Sequence, residues 1–552
     1  MAELSNLAQT KQEGSAESKH VELVGAQTEA AGELGRELVN VAEDARLATE
    51  DEHRMTLMEA IKKYPKACLW SIVISLAVIM DGYDTALLGS LSAFPSFRTH
   101  FGHYVSAKDG YQIAAKWQVA LGCSSPVGNI IGIYLGAMTT EVVGYRKSLL
   151  FWLTILTGFI FIPFFAPNIE TLFVGELLCG LAWGVFSTMA PAYASEVSPV
   201  VLRGYLETYI VLCWGIGQLL SYSVLLTLND DTSNWGWRIP FAVQWIWPVI
   251  IFPMVLLAPE SPWWLVRKGK IDEAEKAVVR LSSKSNQEGA KRAVALMVET
   301  NDLEKTMTEG VGYIECFRGT NLWRTEIACA CWAIQVFSGF VISGYATYFY
   351  ELAGLPSLDA YKMSVGSGGL HFVFTCLTFP LVTFVGRRRI YLWGLVWMGT
   401  MMFLIGFISL APGTSAAGYA SSAIFLSWFC CYELTIGPGA FIIASEVSAT
   451  RLRAKTIGLA RNSWNLANLV NYLVSPYILN PTNGNWKGKA GFLAGGLCIL
   501  SWTWTFLRLP ETKGRTYEEL DILFSSNIKA REFKNYPVDV MGHHEGKETN
   551  VE

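Results

Sequence analysis

Twelve runs of mainly apolar residues mark this chain, at roughly 67–92, 115–137, 148–166, 170–194, 206–228, 239–258, 324–350, 363–385, 390–411, 418–443, 456–478 and 489–507. A helix needs about 20 such residues to cross bilayer hydrocarbon. Joints such as Pro167-Asn168 and Pro412-Gly413 separate runs that would otherwise merge. The pattern predicts an all-α membrane protein with twelve transmembrane helices in two bundles. The first six-helix bundle covers 65–258, cytoplasmic linker helices cover 259–322, and the second six-helix bundle covers 323–507. Residues 1–64, rich in Glu, Ala and Gln and without a cleavable leader pattern, read as a disordered cytosolic tail. Residues 508–552 read as a second cytosolic tail.

Composition supports a lipid-facing surface. Only 16% of residues are charged, against about 25% in soluble chains. The net charge of -4 and the lack of a basic stripe argue against a nucleic-acid partner. Ten of the eleven cysteines fall in apolar runs, Cys316 lies in a polar loop, and no CxxC pair occurs. They read as buried free thiols, with no metal site and no disulfide framework. No nucleotide-binding loop or GxSxG motif is present, so the chain reads as a non-enzyme without cofactors. Lys and Arg set the orientation, because cytoplasmic loops are enriched in them. Lys62, Lys63, Lys66, Arg146, Lys147, Arg203, Arg387, Arg388, Arg389, Arg451, Arg453 and Lys455 share one side with the long central loop. Both termini are therefore expected in the cytoplasm.

The sequence also repeats itself. Ser195-Glu196-Val197-Ser198, running on to Leu202-Arg203, returns 250 positions later as Ser445-Glu446-Val447-Ser448 and Leu452-Arg453. Pro259-Glu260-Ser261 returns as Pro510-Glu511-Thr512, and Gly144-Tyr145-Arg146-Lys147 returns loosely as Gly386-Arg387-Arg388-Arg389. Three ordered matches at offsets of 242 to 251 define a repeat of six spans. That is the parallel two-bundle plan, with substrate bound near the midplane between halves that rock. Glu196, Glu260, Glu446 and Glu511 can pair with Arg203, Arg146, Arg453 and Arg387. Such pairs across the bundles, with Glu141 nearby, are expected to form a cytoplasmic gate. Helix-end anchoring is the plainer alternative.

At these residues the chain resembles the sugar-porter branch of the major facilitator superfamily, over about 67–524. The motifs are Gly82-Tyr83-Asp84, the degenerate loop Glu141–Lys147, Pro259-Glu260-Ser261-Pro262-Trp263-Trp264-Leu265, Gly437-Pro438, and Pro510-Glu511-Thr512-Lys513-Gly514-Arg515. Asp81-Gly82-Tyr83-Asp84-Thr85, Tyr432-Glu433-Leu434-Thr435 and Leu459-Ala460-Arg461-Asn462 are similar to the fungal maltose-permease group. The resemblance implies the major facilitator fold and proton symport of an α-glucoside at the plasma membrane. It also departs from pattern: Glu141 and Thr383 stand where Asp is usual, and span seven keeps only Gln335 of the hexose-carrier set.

Ionisable groups inside a bilayer cost about 2.5–3.5 kcal/mol or more and mark function. Asp81 and Asp84 share one helical face at i,i+3. Glu176, Glu433 and Arg461 lie in spans four, ten and eleven. Close carboxylates share protons as a unit, so Asp84, Asp81, Glu176 and Arg461 are the expected proton-coupling set. Arg461 is expected to need a carboxylate partner. Asp84 also falls at the resembled family's coupling position, and Gln218 lies where that family binds sugar. Gln335, Tyr345, Asn129, Asn465, Asn468 and Glu433 complete the candidate sugar contacts, on the need for hydrogen-bonding groups and aromatic faces in a cleft. Packing remains the alternative for each aromatic, and His371 in span eight reads as a hydrogen-bonded bundle residue, with a proton relay as the alternative. The expected partners are a sugar, protons and the lipid bilayer. Transport of another small solute, or sugar sensing without transport, stays open.

Overall fold

The structure is a computed structural model. It describes residues 57–536 apart from 107–109, 199, 284–286, 309–311, 411–414, 450–451, 514, 516, 527 and 535. The expected N-terminal tail falls largely outside these residues, whereas the expected C-terminal tail is described as far as Tyr536 and holds a helix at Tyr517–Ser525; Arg451 and the Pro412-Gly413 joint lie outside, and the side chains of Arg203 and Arg453 are not described. The last stretch of the expected N-terminal tail is helical, Leu57–Lys63.

The chain divides into two compact units. The smaller unit joins the segment ending at Leu69 to Ser195–Gly204 and Pro259–Met307. Its helices Pro262–Arg267, Ile271–Leu281 and Gln287–Thr308 bury Leu265, Val266, Ala274, Val278 and Val294 against one another. The amide of Ser283 bonds the carbonyl of Lys63 at 2.9 Å.

The larger unit holds the spans, numbered here in chain order. Span one is Pro65–Leu91, span two Ala115–Val143 and span three Tyr145–Phe159 with Phe161–Phe164. Span four is Ile169–Val197, span five Val200–Thr227 and span six Asn234–Val243 with Ile246–Leu257. Span seven is Gly319–Phe337 with Ala346–Leu352, span eight Ser357–Phe384 and span nine Arg387–Ile408. Span ten is Ser415–Leu434 with Ile436–Val447, span eleven Arg453–Leu479 and span twelve Ala490–Arg508. Among the described residues, nine of these positions are long and apolar enough to cross a membrane on length and composition. The other three are also helical: span seven is interrupted, and span eleven is diluted by polar residues. Phe384, Trp393, Val249, Leu257 and Leu500 stand exposed on the outer faces, a surface suited to lipid rather than water.

Two features of packing position the site. Spans two and four approach backbone to backbone: a Cβ on Gly132 would fall 2.0 Å from the Leu181 carbonyl oxygen, and one on Gly184 would fall 2.2 Å from that of Asn129. Small residues allow this approach where no hydrophobic force drives helices together in lipid. Spans seven and ten, in contrast, are broken mid-course at 338–345 and at Thr435. Val341 in the first break has a φ of 75°, a strained conformation for a β-branched residue.

Backbone groups freed inside a membrane must be paired, and side chains from neighbouring spans do so. Asn471 Oδ1 accepts from the Val341 amide at 2.8 Å, and Gln335 Nε2 donates to the Gly437 carbonyl at 2.7 Å. Trp428 Nε1 donates to the Ser338 carbonyl at 3.1 Å, and the Tyr391 hydroxyl donates to that of Ile436 at 3.3 Å.

The two halves of the larger unit are bonded to each other at one end, around the antiparallel hairpin His103–Ser106 and Gly110–Gln112. Asn480 Nδ2 donates to the Ile113 carbonyl at 2.9 Å and to Gln118 Oε1 at 3.1 Å. Tyr361 donates to the Ser90 carbonyl at 2.9 Å, and Tyr348 to Gln112 Oε1 at 3.2 Å. Arg98 forms an ion pair with Glu351 across the same interface.

Candidate functional site

Span one places Asp84 in a closed polar cage. Gln244 Nε2 of span six donates to Oδ1 at 2.9 Å. Trp183 Nε1 of span four and Ser125 Oγ of span two donate to Oδ2 at 3.1 and 3.4 Å. The close backbone approach of spans two and four brings Ser125 and Trp183 to one point. Glu176 of span four is fully buried, and its carboxyl faces that of Asp84. Neither Glu176 oxygen receives a donor among the described residues. Two carboxylates can bond only if one carries a proton.

Asp81 lies one turn away, 9% exposed, with Arg461 and Tyr472 of span eleven as its electrostatic neighbours. Among the described residues, Arg461 forms no carboxylate fork. Its guanidinium instead stacks on Trp464 at 4.5 Å and Trp332 at 5.4 Å from the ring centroids. A desolvated cation–π contact is worth about 2 kcal/mol or more, so two indole faces hold the charge and Asp81 need not close on it.

The remaining sugar candidates divide into two groups. Asn129 Oδ1 and Asn465 Nδ2 are buried and unbonded among the described residues, which leaves them available to ligand hydroxyls. Gln218 and Asn468 are half-buried. Gln335 is committed to the Gly437 carbonyl, tying the break of span seven to that of span ten. Tyr345 makes a long 3.4 Å bond to the Gln118 carbonyl and packs edge-on against Tyr472. Glu433 meets His371, with Oε1 2.9 Å from Nδ1 and both side chains buried.

The repeated charges also find partners, but within a half. Arg387 bonds Glu446 through Nη2 at 2.8 Å and Nε at 3.1 Å, while its amide donates to Glu511 Oε1 at 2.9 Å. Thr512 Oγ1 donates to Glu446 Oε2 at 2.5 Å. Glu196 pairs with Arg267 at 2.7 Å and accepts from Ser261. Glu260 accepts from the Ser261 amide at 3.1 Å. Arg146 bonds the Leu256 carbonyl, and Glu141 lies near the end of span two. For Arg387, Glu446 and Glu511 the bonds described form a clamp inside the second half. The Pro510-Glu511-Thr512 turn brings its acceptor and donor beside Arg387, which satisfies the charges locally.

Sequence reasoning missed Trp183, Gln244 and Ser125 around Asp84, Arg267 beside Glu196, and the Arg98–Glu351 pair. Gln244 carried a signal, an amide inside an apolar run. Trp183 carried none, because an indole in a span reads as packing.

Buried carboxylates on intact spans one and four, the breaks in spans seven and ten and twelve helical positions define a secondary transporter of the major facilitator type. A family model described as sugar (and other) transporter matches residues 70–524, and the chain belongs to that family. It is 38% identical to a maltose permease of Saccharomyces cerevisiae over 506 residues, 90% of this chain and 82% of the permease. It is 36% identical to a general alpha-glucoside permease of the same yeast, over 91% of this chain and 82% of that protein. The inward open structure of the xylose transporter XylE from E. coli shares the fold, with a TM-score of 0.66 at 23% identity over 83% of this chain and 99% of XylE. The chain is a multi-pass membrane transporter, and its relatives are permeases rather than enzymes.

Proposed function

We propose that this protein imports an α-glucoside such as maltose by proton symport across the plasma membrane, with both termini in the cytoplasm. The observation that carries the coupling is the Asp84–Glu176 pair. A fully buried carboxyl whose polar neighbour is another carboxyl holds a proton or repels. Loading that proton from one side and losing it to the other links ion movement to rearrangement of spans one and four. Arg461 and Asp81 face each other from opposite halves, so their distance follows the packing of the halves. Asn129, Asn465, Gln218 and Asn468 supply hydroxyl contacts, and Tyr432 supplies a face for a sugar ring. Gln335 acts indirectly, by fixing the two breaks. The bonds around the hairpin support a state closed at that end. Positive-charge placement makes it the outer end, and the clamp at Arg387 would then lie at the inner end.

The test is uptake into proteoliposomes under an imposed pH gradient, across labelled maltose, trehalose, glucose and xylose. Maltose or a related α-glucoside should accumulate best, and the accumulation should collapse when the gradient is dissipated. Glucose or xylose competing best overturns the substrate, and gradient-independent accumulation overturns the symport.

A further inference from the structure

Spans nine and twelve run antiparallel and touch closely. A Cβ on Gly399 would fall 3.1 Å from that of Cys498, and one on Gly491 would fall 2.4 Å from the Met402 carbonyl oxygen. Between them lies a groove of about 220 Å³, walled by Val396, Thr400 and Phe403 on one span and by Ile499 and Trp502 on the other. Gly399 and Cys498 also line it and are buried, and their small size sets its depth. The polar atoms of the lining are already spent. The Thr400 hydroxyl donates to the Val396 carbonyl at 2.8 Å, and the Cys498 thiol to that of Ser338 at 3.4 Å. Val396 and Ile499 are 45% and 55% exposed, so the groove is apolar and opens toward lipid. It runs beside residues 395–403, roughly 10–22 Å along the axis from Arg388. In hydrocarbon about 30 Å thick, that is the depth of an acyl chain in one leaflet.

The end of the groove nearer Arg388 leads to two cations. Trp502 stacks on Phe506 with centroids 5.2 Å apart, and the Phe506 ring carries the guanidiniums of Arg388 and Arg531 at 5.6 and 4.2 Å. Arg388 Nη2 donates to the Phe506 carbonyl at 2.7 Å, while its Nε is buried and without a partner among the described residues. Arg531 arrives from beyond the helix Tyr517–Ser525. That segment folds back because Phe533 is buried against Trp323 and Phe524, with centroids at 5.8 and 5.1 Å. Among the described residues neither Arg388 nor Arg531 forms an ion pair. Glu511 is within electrostatic reach of Arg388, but its Oε1 already accepts from the amides of Arg387 and Lys513. Two like charges against one ring repel unless an anion joins them, and guanidinium forks match phosphate.

We propose that spans nine and twelve bind an anionic glycerophospholipid, with one acyl chain in the groove and the phosphate between Arg388 and Arg531. A free anion would use the arginines and not the groove, and a neutral lipid the groove and not the arginines. A charged lipid uses both. The bound headgroup also pins residues 528–534 to span twelve. This is the end proposed above as the inner one, where the leaflet is negatively charged.

The test titrates the full chain in detergent with phosphatidylserine or phosphatidylcholine of the same oleoyl chains, each alone, and counts retained lipid by native mass spectrometry. Phosphatidylserine should bind at least about tenfold more tightly. Arg531→Gln, at an exposed position, and Arg388→Gln should each weaken it about fivefold and leave phosphatidylcholine unchanged. Thr400→Phe fills the groove from its exposed wall and should weaken both lipids. Glycerophosphoserine, the headgroup without chains, should not compete. Hydrogen exchange of residues 528–534 should be slower in nanodiscs of phosphatidylserine than of phosphatidylcholine, and Arg531→Gln should erase the difference. Equal binding of the two lipids, or a serine preference kept in both arginine variants, overturns the headgroup site. Glycerophosphoserine competing as well as the lipid shows a free-anion site and overturns the lipid. Binding unchanged in Thr400→Phe overturns the groove, and hydrogen exchange alike in both nanodiscs overturns the pinning of the tail.

Discussion

In the first half, acidic groups sit inside helices that keep their hydrogen-bond ladder: spans one and four run unbroken past Asp81, Asp84 and Glu176. In the second half, beside the side chains of Glu433, His371 and Arg461, main-chain polarity is released where spans seven and ten break and is taken up by Gln335, Asn471, Trp428 and Tyr391. A carboxyl on an intact helix changes charge without moving the backbone. A break changes shape without changing charge. The proposed coupling places proton loading at Asp84 and Glu176 and change of shape at the breaks, with Arg461 and Asp81 as electrostatic neighbours between the halves.

The largest effect expected from this division is on Asp84. A membrane potential of about 100 mV contributes about 2.3 kcal/mol per charge, roughly 50-fold accumulation. Asp84→Asn should reduce the accumulation ratio to equilibrium while exchange persists, and Glu176→Gln should follow it. Proteoliposome uptake and exchange measured on one preparation check this, and loss of both together would erase the division. Arg461→Gln is next. Removing a cation worth about 2 kcal/mol to its two indoles should slow net uptake by at least tenfold. Arg461→Lys should recover only part, because lysine lacks the planar fork. Initial rates over a pH series measure it. Asn465→Ala should cost one hydrogen bond, about 1 kcal/mol or roughly fivefold in KM, with kcat little changed. A kcat loss instead would move Asn465 from binding to rearrangement. The smallest effect belongs to Val341→Gly. Strain of about 1–3 kcal/mol is relieved against an entropic cost of about 0.5–1 kcal/mol, so thermal unfolding in detergent should shift upward by only a few degrees.

The spans were legible because hydrocarbon imposes a length and an apolar composition on each of them. The repeat was legible because the ends of both bundles carry the same Ser-Glu and Pro-Glu signatures. Intramembrane charge marked Asp84, Glu176, Glu433 and Arg461 as residues needing a reason. Their partners were not legible. Arg461 was expected to find a carboxylate and found Trp332 and Trp464, because a guanidinium accepts either and sequence does not show which face of span eleven it leaves by. Gln335 was expected to meet sugar and instead holds the Gly437 carbonyl, because the break in span ten is a property of backbone geometry at Thr435. Arg387 and Glu446 stood out in the sequence, but not the turn at Pro510–Thr512 that brings Glu511 and Thr512 beside them.

The seam between spans two and four has a mechanical meaning. Gly132 against Leu181 and Gly184 against Asn129 bring two main chains together with no side chain between them to act as a cushion. Such a pair resists bending and sliding, and behaves as a single beam. Span two alone has 29 residues, about 43 Å of helix. If the beam pivots near its middle, a tilt of about 10° carries each end through roughly 4 Å, while the pivot itself hardly moves. Ser125 and Asn129 lie nearer the middle of that beam than its ends. Residues there can keep their grip on Asp84 and on a ligand while the two mouths of the cleft swing through the width of a sugar hydroxyl and its hydration.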